Sequence, residues 1–252
     1  MPSLWKTTFR MKAIMQETEL CKESLAIVLP SLDPDEKFDR VVEELVHCGF
    51  AHIVIVDDGT GPQGQVHFEK AAAFPNCVVL HHGVNKGKGC ALRTAFRHVL
   101  DELPEVRGVI TIDGDGQHLT KDILACGQRM LREEDKVVLG CRNFDEAGVP
   151  ARNSTGNKLT SRLFRLFYGI RLSDTQTGLR AIPRSCLEDF LRIEGDRFEY
   201  ETNMLLWMKR HGIVFLEQPI ATVYDPEDYS SHYHPVKDSL RIFRVMVKGL
   251  FH

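Results

Sequence analysis

Short apolar runs alternate with amphipathic segments along most of this chain. Five runs are rich in β-branched residues and are bounded by turn-forming or charged residues: 25–30, 52–58, 77–82, 108–113 and 136–142. The segments between them repeat their apolar positions with the period of a helix, at 36–48, 63–73, 88–102 and 120–134. Strands that alternate with helices and contain few polar residues predict an α/β fold, with a mostly parallel sheet and helices on both of its faces.

The extent of the folded region follows from where this alternation begins. The first stretch shows weak helical periodicity, so we expect residues 1–24 to form an N-terminal arm outside the core. No repeat or Ser/Gly-rich linker divides the remainder, which predicts one domain over residues 25–252. Residues 236–250 are basic and amphipathic, a pattern that fits either a packed last helix or a surface anchor.

Composition excludes some classes of protein. A formal net charge of −3 argues against broad nucleic-acid binding, which requires a large positive excess. The seven cysteines form no C-x-x-C pair, which predicts reduced thiols in apolar surroundings. No stretch approaches the ~18 consecutive apolar residues of a membrane span, and the N-terminus has no signal-peptide core. We therefore expect a cytoplasmic protein.

Aspartates follow three of the predicted strands. Asp33 comes after the first, Asp57 and Asp58 after the second, and Asp113 and Asp115 after the fourth. Any one of them could be a helix cap or a turn residue. However, the carboxyl ends of parallel strands meet at one edge of a sheet, where the ligands of open α/β sheets bind. Carboxylates gathered there repel each other unless a cation or hydrogen-bond donors offset their charge.

The sequence IDGDGQH contains the closest carboxylate pair. Asp113 and Asp115 are two positions apart, so their side chains can face the same way, and the glycines permit a sharp turn. Such a pair suits Mg²⁺ or Mn²⁺, completed by water and phosphate oxygens. A calcium-binding EF-hand is excluded because His118 and Leu124 stand where glycine and glutamate are required. An aspartyl-phosphate phosphatase is disfavoured by Gln117, and a plain turn leaves Gln117 and His118 unexplained.

Glycines and lysines open the helix predicted after the third strand, in the sequence NKGKGCALRTAF at residues 85–96. The free backbone N–H groups of a helix N-terminus favour an anion. Neither a Walker phosphate loop nor G-x-G-x-x-G is present. Beside a carboxylate pair that holds a divalent cation, this segment predicts a diphosphate ligand.

Basic residues dominate the stretch from Arg152 to Arg184. It contains seven arginines and lysines against a single acid, Asp174. A helix that buries an apolar face and exposes a basic one is the simpler explanation. Because few local acids can pair with the excess of positive charge, a nearby anionic ligand or lipid surface is the second explanation.

In this order, LPSLDPDE, VIVDDGT, NKGKGCALR, IDGDGQH and GCR resemble the motifs of family 2 glycosyltransferases, which have the GT-A-type fold. The most similar subgroup makes polyprenyl-phosphate sugars, and the likeness continues through SDTQTGLRAIP, RFEYETNML and SSHYHPVKDSLRIF. It covers about residues 25–245. The resemblance implies a nucleotide-binding half at about 25–118 and an acceptor half at about 119–235.

The resemblance also implies roles for residues on the donor side. Seven residues would line the nucleotide pocket: Pro30, Asp33, Asp57, Asp58, Lys88, Arg93 and Asp113. Within that set, Asp57 or Asp58 would accept a hydrogen bond from the base. Asp113, Asp115 and Gln117 would hold Mg²⁺ or Mn²⁺ on the diphosphate of a UDP- or GDP-linked sugar.

On the acceptor side, the resemblance implies that Arg142 and Arg152 face phosphates of the donor or acceptor. His232 or His234 could reach the metal or the diphosphate from the tail, and the alternative is that they are ordinary exposed loop histidines. Asp174 matches an acidic position near the acceptor, and Glu199 and Glu201 belong to the helix that follows. A phosphate acceptor is already ionised and needs no base. If the acceptor is a hydroxyl, a carboxylate must take its proton, and Asp174 is the first candidate, with Glu201 second.

Together these features predict a metal-dependent inverting glycosyltransferase that moves a sugar from a nucleotide diphosphate sugar to a polyprenyl phosphate. Two alternatives stay open: transfer to a sugar hydroxyl of a glycolipid or surface polysaccharide, and a non-catalytic protein that binds nucleotide sugars. A sugar-1-phosphate nucleotidyltransferase is disfavoured because the Gly-rich loop that would follow the first strand is missing. A lipid-phosphate acceptor implies peripheral contact with the inner face of the membrane.

Overall fold

The computed structural model describes residues 3–133, 136–144 and 151–223, with the backbone alone for 3–11, 13, 151–156 and 159. The strands are β1 (Leu25–Ser31), β2 (His52–Asp57), β3 (Cys77–His81), β4 (Gly108–Thr111), β5 (Val137–Arg142), β6 (Arg180–Pro183) and β7 (Phe215–Ile220). The helices are α1 (Ser3–Ser24), α2 (Glu36–Cys48), α3 (Gln65–Ala72), α4 (Lys88–Glu102), α5 (Thr120–Arg132), α6 (Ala151–Tyr168), α7 (Arg184–Leu191) and α8 (Glu199–His211). None of the helices described here is long and apolar enough to cross a bilayer.

Within the described residues the strands form one sheet in the order β3-β2-β1-β4-β6-β5-β7. Neighbouring strands are parallel except at β6, which runs antiparallel to both β4 and β5. The mostly parallel α/β sheet predicted from the sequence is therefore confirmed. The pattern of apolar residues did not predict β6 and β7, because β6 is short and begins with Arg180, and Glu217 and Gln218 interrupt β7.

Alternate side chains of β1 enter two cores, one on each face of the sheet. Leu25, Ile27 and Leu29 pack with residues of α2, α3 and α5, whereas Ala26 and Val28 pack with residues of α4, α7 and α8. All five side chains are fully buried, and burial of each larger one contributes about 1.5–3 kcal/mol. Because helices cover both faces, the carboxyl ends of β1, β2 and β4 form the edge at which a ligand can bind.

The N-terminal segment is a helix whose last turn belongs to the core. Cys21 is fully buried among residues of α5 and β1. Nε2 of Gln128 in α5 donates a hydrogen bond to Oγ1 of Thr18 (2.8 Å), and the backbone carbonyls of Lys22 and Ser24 accept bonds from residues outside α1. The expectation of an arm separate from the core therefore does not hold for this turn.

Candidate active site

A lysine at the start of α4 lies between two carboxylates from other elements. Nζ of Lys88 is 2.7 Å from Oδ1 of Asp113, which follows β4, and 2.9 Å from Oε2 of Glu201, in the first turn of α8. The ring of Phe198 lies 6.0 Å from the same ammonium. Lys88 and Glu201 are largely buried. We call Lys88, Asp113 and Glu201 the lysine cluster; it joins the two predicted halves of the chain.

The charges of the lysine cluster support one another. Burial would lower the pKa of Lys88, but the charges of Asp113 and Glu201 outweigh burial and raise that pKa above its usual range. Burial likewise opposes the ionisation of Asp113, yet the Lys88 ammonium lowers the pKa of that carboxyl to about 2. At neutral pH the open edge therefore presents a fixed positive charge beside an ionised carboxylate.

Asp58 holds the loop that leads into α4. Its carboxylate accepts hydrogen bonds from the backbone N–H groups of Lys86 (2.9 Å) and Gly87 (2.7 Å) and lies 2.8 Å from Nδ1 of His82. Nε2 of His82 lies 2.9 Å from Oγ1 of Thr94 within α4. Gly87 has a φ of 101°, a left-handed conformation that a side chain would strain. The buried Asp58 and His82 thus position the start of α4, and with it the lysine of the cluster.

The neighbouring Asp57 is also buried and engaged with protein groups. Three groups contact its carboxylate: the backbone N–H of Thr60 (2.8 Å), Nε2 of Gln65 (2.9 Å) and Nδ1 of His81 (2.9 Å). Asp57 and Asp58 therefore fix the loops beneath the open edge, which the resemblance did not indicate. The hydrogen bond from one of them to a nucleotide base stays a prediction.

Two other predicted pocket residues lie at the edge itself. Pro30 is half-buried near the end of β1, and Asp33 is exposed just beyond it. The backbone N–H of Asp33 donates to Oγ1 of Thr60 (2.9 Å), and its Oδ1 accepts from the backbone N–H of Gly61 (3.3 Å). These bonds tie the loop after β1 to the loop after β2, so the two loops form one side of the open edge.

We expect His82→Ala to lower the free energy of unfolding by about 1–3 kcal/mol, because the buried Asp58 carboxylate keeps only its two backbone donors and the Thr94 hydroxyl loses its contact with the imidazole ring. His81→Ala is the matched control. His81 also contacts an aspartate, but its side chain is 54% exposed, so a loss below about 1 kcal/mol is expected. Urea denaturation followed by circular dichroism measures both, and equal losses would contradict a special role for His82.

Asp115 lies two residues beyond Asp113 and is half-buried. Burial, and then the charge of Asp113, raise the pKa of Asp115 above its usual range. Within the described part of the chain, no group of three or more His, Cys, Asp or Glu side chains forms a metal cluster. The two carboxylates therefore fit a cation that takes its other ligands from water and substrate phosphate, as Mg²⁺ and Mn²⁺ commonly do.

The turn after Asp115 is held by the motif itself. The backbone N–H of Gln117 donates to Oδ1 of Asp115 (3.0 Å), and the backbone N–H of Asp113 donates to Nδ1 of His118 (3.1 Å). This bond places the proton of a neutral His118 on Nε2, and burial lowers the pKa of the ring. Gln117 also lines a cavity of about 230 Å³ together with Asp115 and Glu44. The structure thus brings Gln117 to Asp115 through its backbone.

Arg142, at the end of β5, forms an ion pair with the fully buried Asp174. Nε of Arg142 donates to Oδ2 of Asp174 (2.7 Å) and Nη2 donates to Oδ1 (3.3 Å). The backbone N–H of Gln176 also donates to Oδ1 (3.1 Å). Both carboxylate oxygens are therefore engaged. This geometry suits a residue that positions Arg142. The role of Asp174 as the proton acceptor for a hydroxyl acceptor stays a prediction.

Two candidate residues contact the loop at 193–197 instead of the cluster. Nη1 of Arg93 donates to two backbone carbonyls of this loop (3.1 and 2.6 Å), so the guanidinium predicted to lie beside the nucleotide supports the loop. Oε1 of Glu199 accepts two backbone N–H groups of the loop (3.2 and 3.3 Å) at the start of α8. Several predictions fall outside the described residues: the side chain of Arg152, His232, His234 and the helix at 236–250.

Sequence reasoning assigned no role to two residues that shape the cluster. A side chain at Gly178 would collide with the carboxylate of Asp113, so only glycine leaves room for that carboxylate. Arg180 is buried in β6, where its Nη1 donates to the backbone carbonyl of Glu201 (2.9 Å) and its Nε to that of Thr177 (3.1 Å). It ties β6 to the first turn of α8. Both residues lie in SDTQTGLRAIP. The signal in the sequence that could have drawn attention to Arg180 is that it is a single arginine between apolar residues.

A comparison with protein families decides the class of this protein. The model for "Glycosyl transferase family 2" matches residues 29–191, from the end of β1 through α7, and so includes the lysine cluster except Glu201. The chain belongs to glycosyl transferase family 2. The family prediction is therefore confirmed, and the protein is a glycosyltransferase.

Two family members of known name resemble the chain over most of its length. The UDP-N-acetylglucosamine–dolichyl-phosphate N-acetylglucosaminyltransferase of Methanococcus voltae is 26% identical over 215 residues, covering 79% of this chain and 85% of the relative. Glycosyltransferase AglJ of Haloferax volcanii is 26% identical over 223 residues, covering 88% and 70%. These names are consistent with the polyprenyl-phosphate subgroup.

Solved structures of other glycosyltransferases share the fold. Mannosyl-3-phosphoglycerate synthase from Rubrobacter xylanophilus aligns with a TM-score of 0.69 at 17% identity, covering 94% of this chain and 75% of that one. Glucosyl-3-phosphoglycerate synthase from Mycobacterium tuberculosis, in complex with Mn²⁺, UDP and phosphoglyceric acid, aligns with a TM-score of 0.66 at 17% identity, covering 94% and 81%. The GT-A-type fold is therefore confirmed.

Proposed function

We propose that this protein transfers a sugar from a UDP- or GDP-linked donor to the phosphate of a polyprenyl phosphate, with inversion at the anomeric carbon. The observation that carries the proposal is the lysine cluster beside Asp115, which combines a carboxylate pair with a fixed positive charge at one sheet edge. The name of the Methanococcus voltae relative supports a polyprenyl phosphate as the acceptor.

The donor would bind along the open edge, with Pro30 and Asp33 beside the nucleotide. Asp113 and Asp115 would hold Mg²⁺ or Mn²⁺, and the cation would stabilise the negative charge that develops on the departing diphosphate. The Mn²⁺ and UDP bound by the Mycobacterium tuberculosis neighbour support this assignment. Lys88 contacts Asp113 directly, so its ammonium adds a second positive charge close to the same diphosphate.

Arg142 is the residue to which we assign the acceptor phosphate. An ionised phosphate oxygen attacks the anomeric carbon, the bond from that carbon to the diphosphate breaks, and its electron pair leaves with the nucleotide. No proton has to be removed from such an acceptor. Asp174 then serves by fixing the Arg142 guanidinium, which binds phosphate best when its donors are pre-oriented.

Glu201 has one oxygen that the protein does not use. Oε2 contacts Lys88, whereas Oε1 is buried and has no hydrogen-bond partner among the described residues. A buried acceptor without a donor costs about 1–3 kcal/mol, which a ligand hydroxyl can recover. We assign Oε1 of Glu201 to a hydroxyl of the transferred sugar, in place of the proton-acceptor role suggested by the sequence.

We expect Asp174→Asn to lower kcat/KM about 10–100-fold, chiefly by raising KM for the acceptor, because Arg142 loses its charged partner. Steady-state kinetics across a pH series measure this, and the shape of the pH–rate profile should not change. Arg142→Gln should give the same division between KM and kcat. Loss of the acidic limb of the profile with an unchanged KM would instead identify Asp174 as a general base and favour a hydroxyl acceptor.

A thermal-shift screen of nucleotide diphosphate sugars, each with and without Mn²⁺, tests the donor assignment. A ligand at about 100 times its Kd stabilises the folded state by about 2.7 kcal/mol, a readily measured rise in Tm. We expect one UDP- or GDP-sugar to raise Tm, and the rise to depend on Mn²⁺. No shift with any nucleotide sugar, or equal shifts in EDTA, would contradict the proposal.

A further inference from the structure

Two adjacent apolar side chains are exposed at the end of α6. Leu166 is 75% exposed, the highest value for a large apolar side chain in the described part of the protein, and Phe167 is 46% exposed. Single exposed apolar side chains are common on soluble proteins. An adjacent pair beside several like charges is a candidate binding surface.

Basic side chains lie near this pair. Arg162 and Arg165 lie in the preceding turn of α6 and Arg171 follows the helix, and all three are exposed. Lys209, at the end of α8, also lies near this end of α6. A Cβ atom added to Gly169 would lie 4.0 Å from Nζ of Lys209. No aspartate or glutamate occurs between residues 157 and 173. We call Leu166, Phe167, Arg162, Arg165, Arg171 and Lys209 the α6 surface.

We propose that the α6 surface binds an anionic lipid bilayer, with Leu166 and Phe167 entering the headgroup region and the basic side chains contacting lipid phosphates. This inference rests on the proposed function, since it states how the enzyme reaches an acceptor embedded in lipid. A basic surface with a small apolar centre is the chemistry that peripheral membrane proteins use.

The charges of the surface select this partner over two others. A twofold dimer through the α6 surface would place its four cations against the same four cations of the second copy, which is repulsive. A nucleic acid would satisfy the basic side chains, but its phosphate backbone has no apolar counterpart for Leu166 and Phe167. An anionic bilayer provides both negative headgroups and an apolar layer beneath them.

The same helix connects the surface to the acceptor side of the site. Asn157, near the start of the described side chains of α6, donates through Nδ2 to the carbonyl of Ser173 (2.6 Å) and accepts from the backbone N–H of Thr175 (3.2 Å). These two residues flank Asp174. At 1.5 Å per residue, Asn157 and Leu166 are about 14 Å apart along α6. The α6 surface therefore lies on the helix that also holds the two residues flanking Asp174.

Co-sedimentation with vesicles tests the proposal, using vesicles of phosphatidylcholine alone and of phosphatidylcholine with phosphatidylglycerol in equal parts. We expect the wild-type chain to bind the anionic vesicles, and added salt to weaken binding. Leu166→Ser/Phe167→Ser should reduce binding about tenfold or more. Arg162→Gln/Arg165→Gln/Arg171→Gln should reduce it about fivefold for each charge removed.

The matched control is Ile14→Ser/Met15→Ser on α1. These two adjacent side chains are 51% and 66% exposed but lie beside the acidic Glu17 and Glu19, so their replacement should leave vesicle binding unchanged. Wild-type protein that ignores anionic vesicles, or α6-surface variants that bind them as tightly as the control, would overturn the proposal. Circular dichroism of each variant verifies folding.

A transfer assay separates this proposal from the proposed function. With a short-chain, water-soluble polyprenyl phosphate, the α6-surface variants should match the wild-type rate, whereas with a long-chain acceptor in anionic vesicles they should lose about tenfold or more of the rate. Equal losses with both acceptors would overturn the membrane role. If no variant and no wild-type protein transfers sugar to either acceptor, the proposed function fails, while sedimentation still decides whether the surface binds lipid.

Discussion

Asp115→Asn is expected to lower kcat about 10²–10³-fold, the largest effect on activity among the substitutions considered. Asparagine keeps the shape of the side chain but removes the charge that would hold the cation against the diphosphate. The nucleotide affinity of the wild-type protein should rise with Mn²⁺, and that of the variant should not. Isothermal titration with the nucleoside diphosphate, with Mn²⁺ or with EDTA, measures this difference.

The stability of the same variant provides an independent check. Burial and the charge of Asp113 raise the pKa of Asp115, so its ionised form is disfavoured in the folded protein. At neutral pH a neutral amide removes that repulsion, and in EDTA the variant should be at least as stable as the wild type. Glu44→Gln is the matched control, because it removes a carboxylate from the same cavity and should leave kcat unchanged. A variant that unfolds, or a control equally inactive, would contradict the metal assignment.

Lys88→Met is expected to have the largest effect on stability, a loss of about 3–5 kcal/mol in the free energy of unfolding. The substitution leaves the carboxylates of Asp113 and Glu201 without the ammonium that lies between them. Activity should also fall, because the diphosphate loses a positive charge. Chemical denaturation at neutral pH measures the first effect, and a transfer assay well below the melting temperature measures the second.

The pH dependence of Lys88→Met follows from Asp113. Burial opposes the ionisation of Asp113, but Lys88, together with His118 and Arg142, lowers the pKa of that carboxyl from 3.8 to about 2. The stability that the ionised carboxyl contributes is therefore fully present above about pH 4 and is lost as the pH falls from about 4 toward 2, and the variant lacks the part that Lys88 supplies. The stability difference between the two proteins should therefore shrink in acid. Lys86→Met replaces an exposed lysine two residues away and should cost little; equal losses at both positions would refute the lysine cluster.

The strands that carry the site were predictable because each is a continuous run of apolar residues, a feature of the local sequence. Apolar runs with helices between them indicated β1 to β5 closely, and α2 and α4 begin and end where the helical periodicity does. The antiparallel β6 was not predictable in this way. Its first residue, Arg180, can be buried because backbone carbonyls of Thr177 and Glu201, brought together by the fold, accept its hydrogen bonds.

In the candidate site, too, local features were predictable and contacts between distant residues were not. Asp113 and Asp115 stood out because two carboxylates share one short motif. The pairing of Lys88 with Glu201 and that of Asp174 with Arg142 did not stand out. The two residues of each pair are more than 30 positions apart in the sequence, and only the tertiary structure brings them together. Spacing likewise could not show that Arg93 supports a loop, since its acceptors are carbonyls about 100 residues further along the chain.

The product of the reaction tests the central claim most directly. The protein would be incubated with a polyprenyl phosphate, Mn²⁺ and the nucleotide sugar that raises its Tm, and the lipid fraction analysed by mass spectrometry and NMR. We predict a polyprenyl-phosphate sugar whose anomeric configuration is inverted relative to the donor, formed with Mn²⁺ but not in EDTA and not by Asp115→Asn. A lipid fraction without sugar, or a product that forms at the same rate in EDTA, would contradict the account.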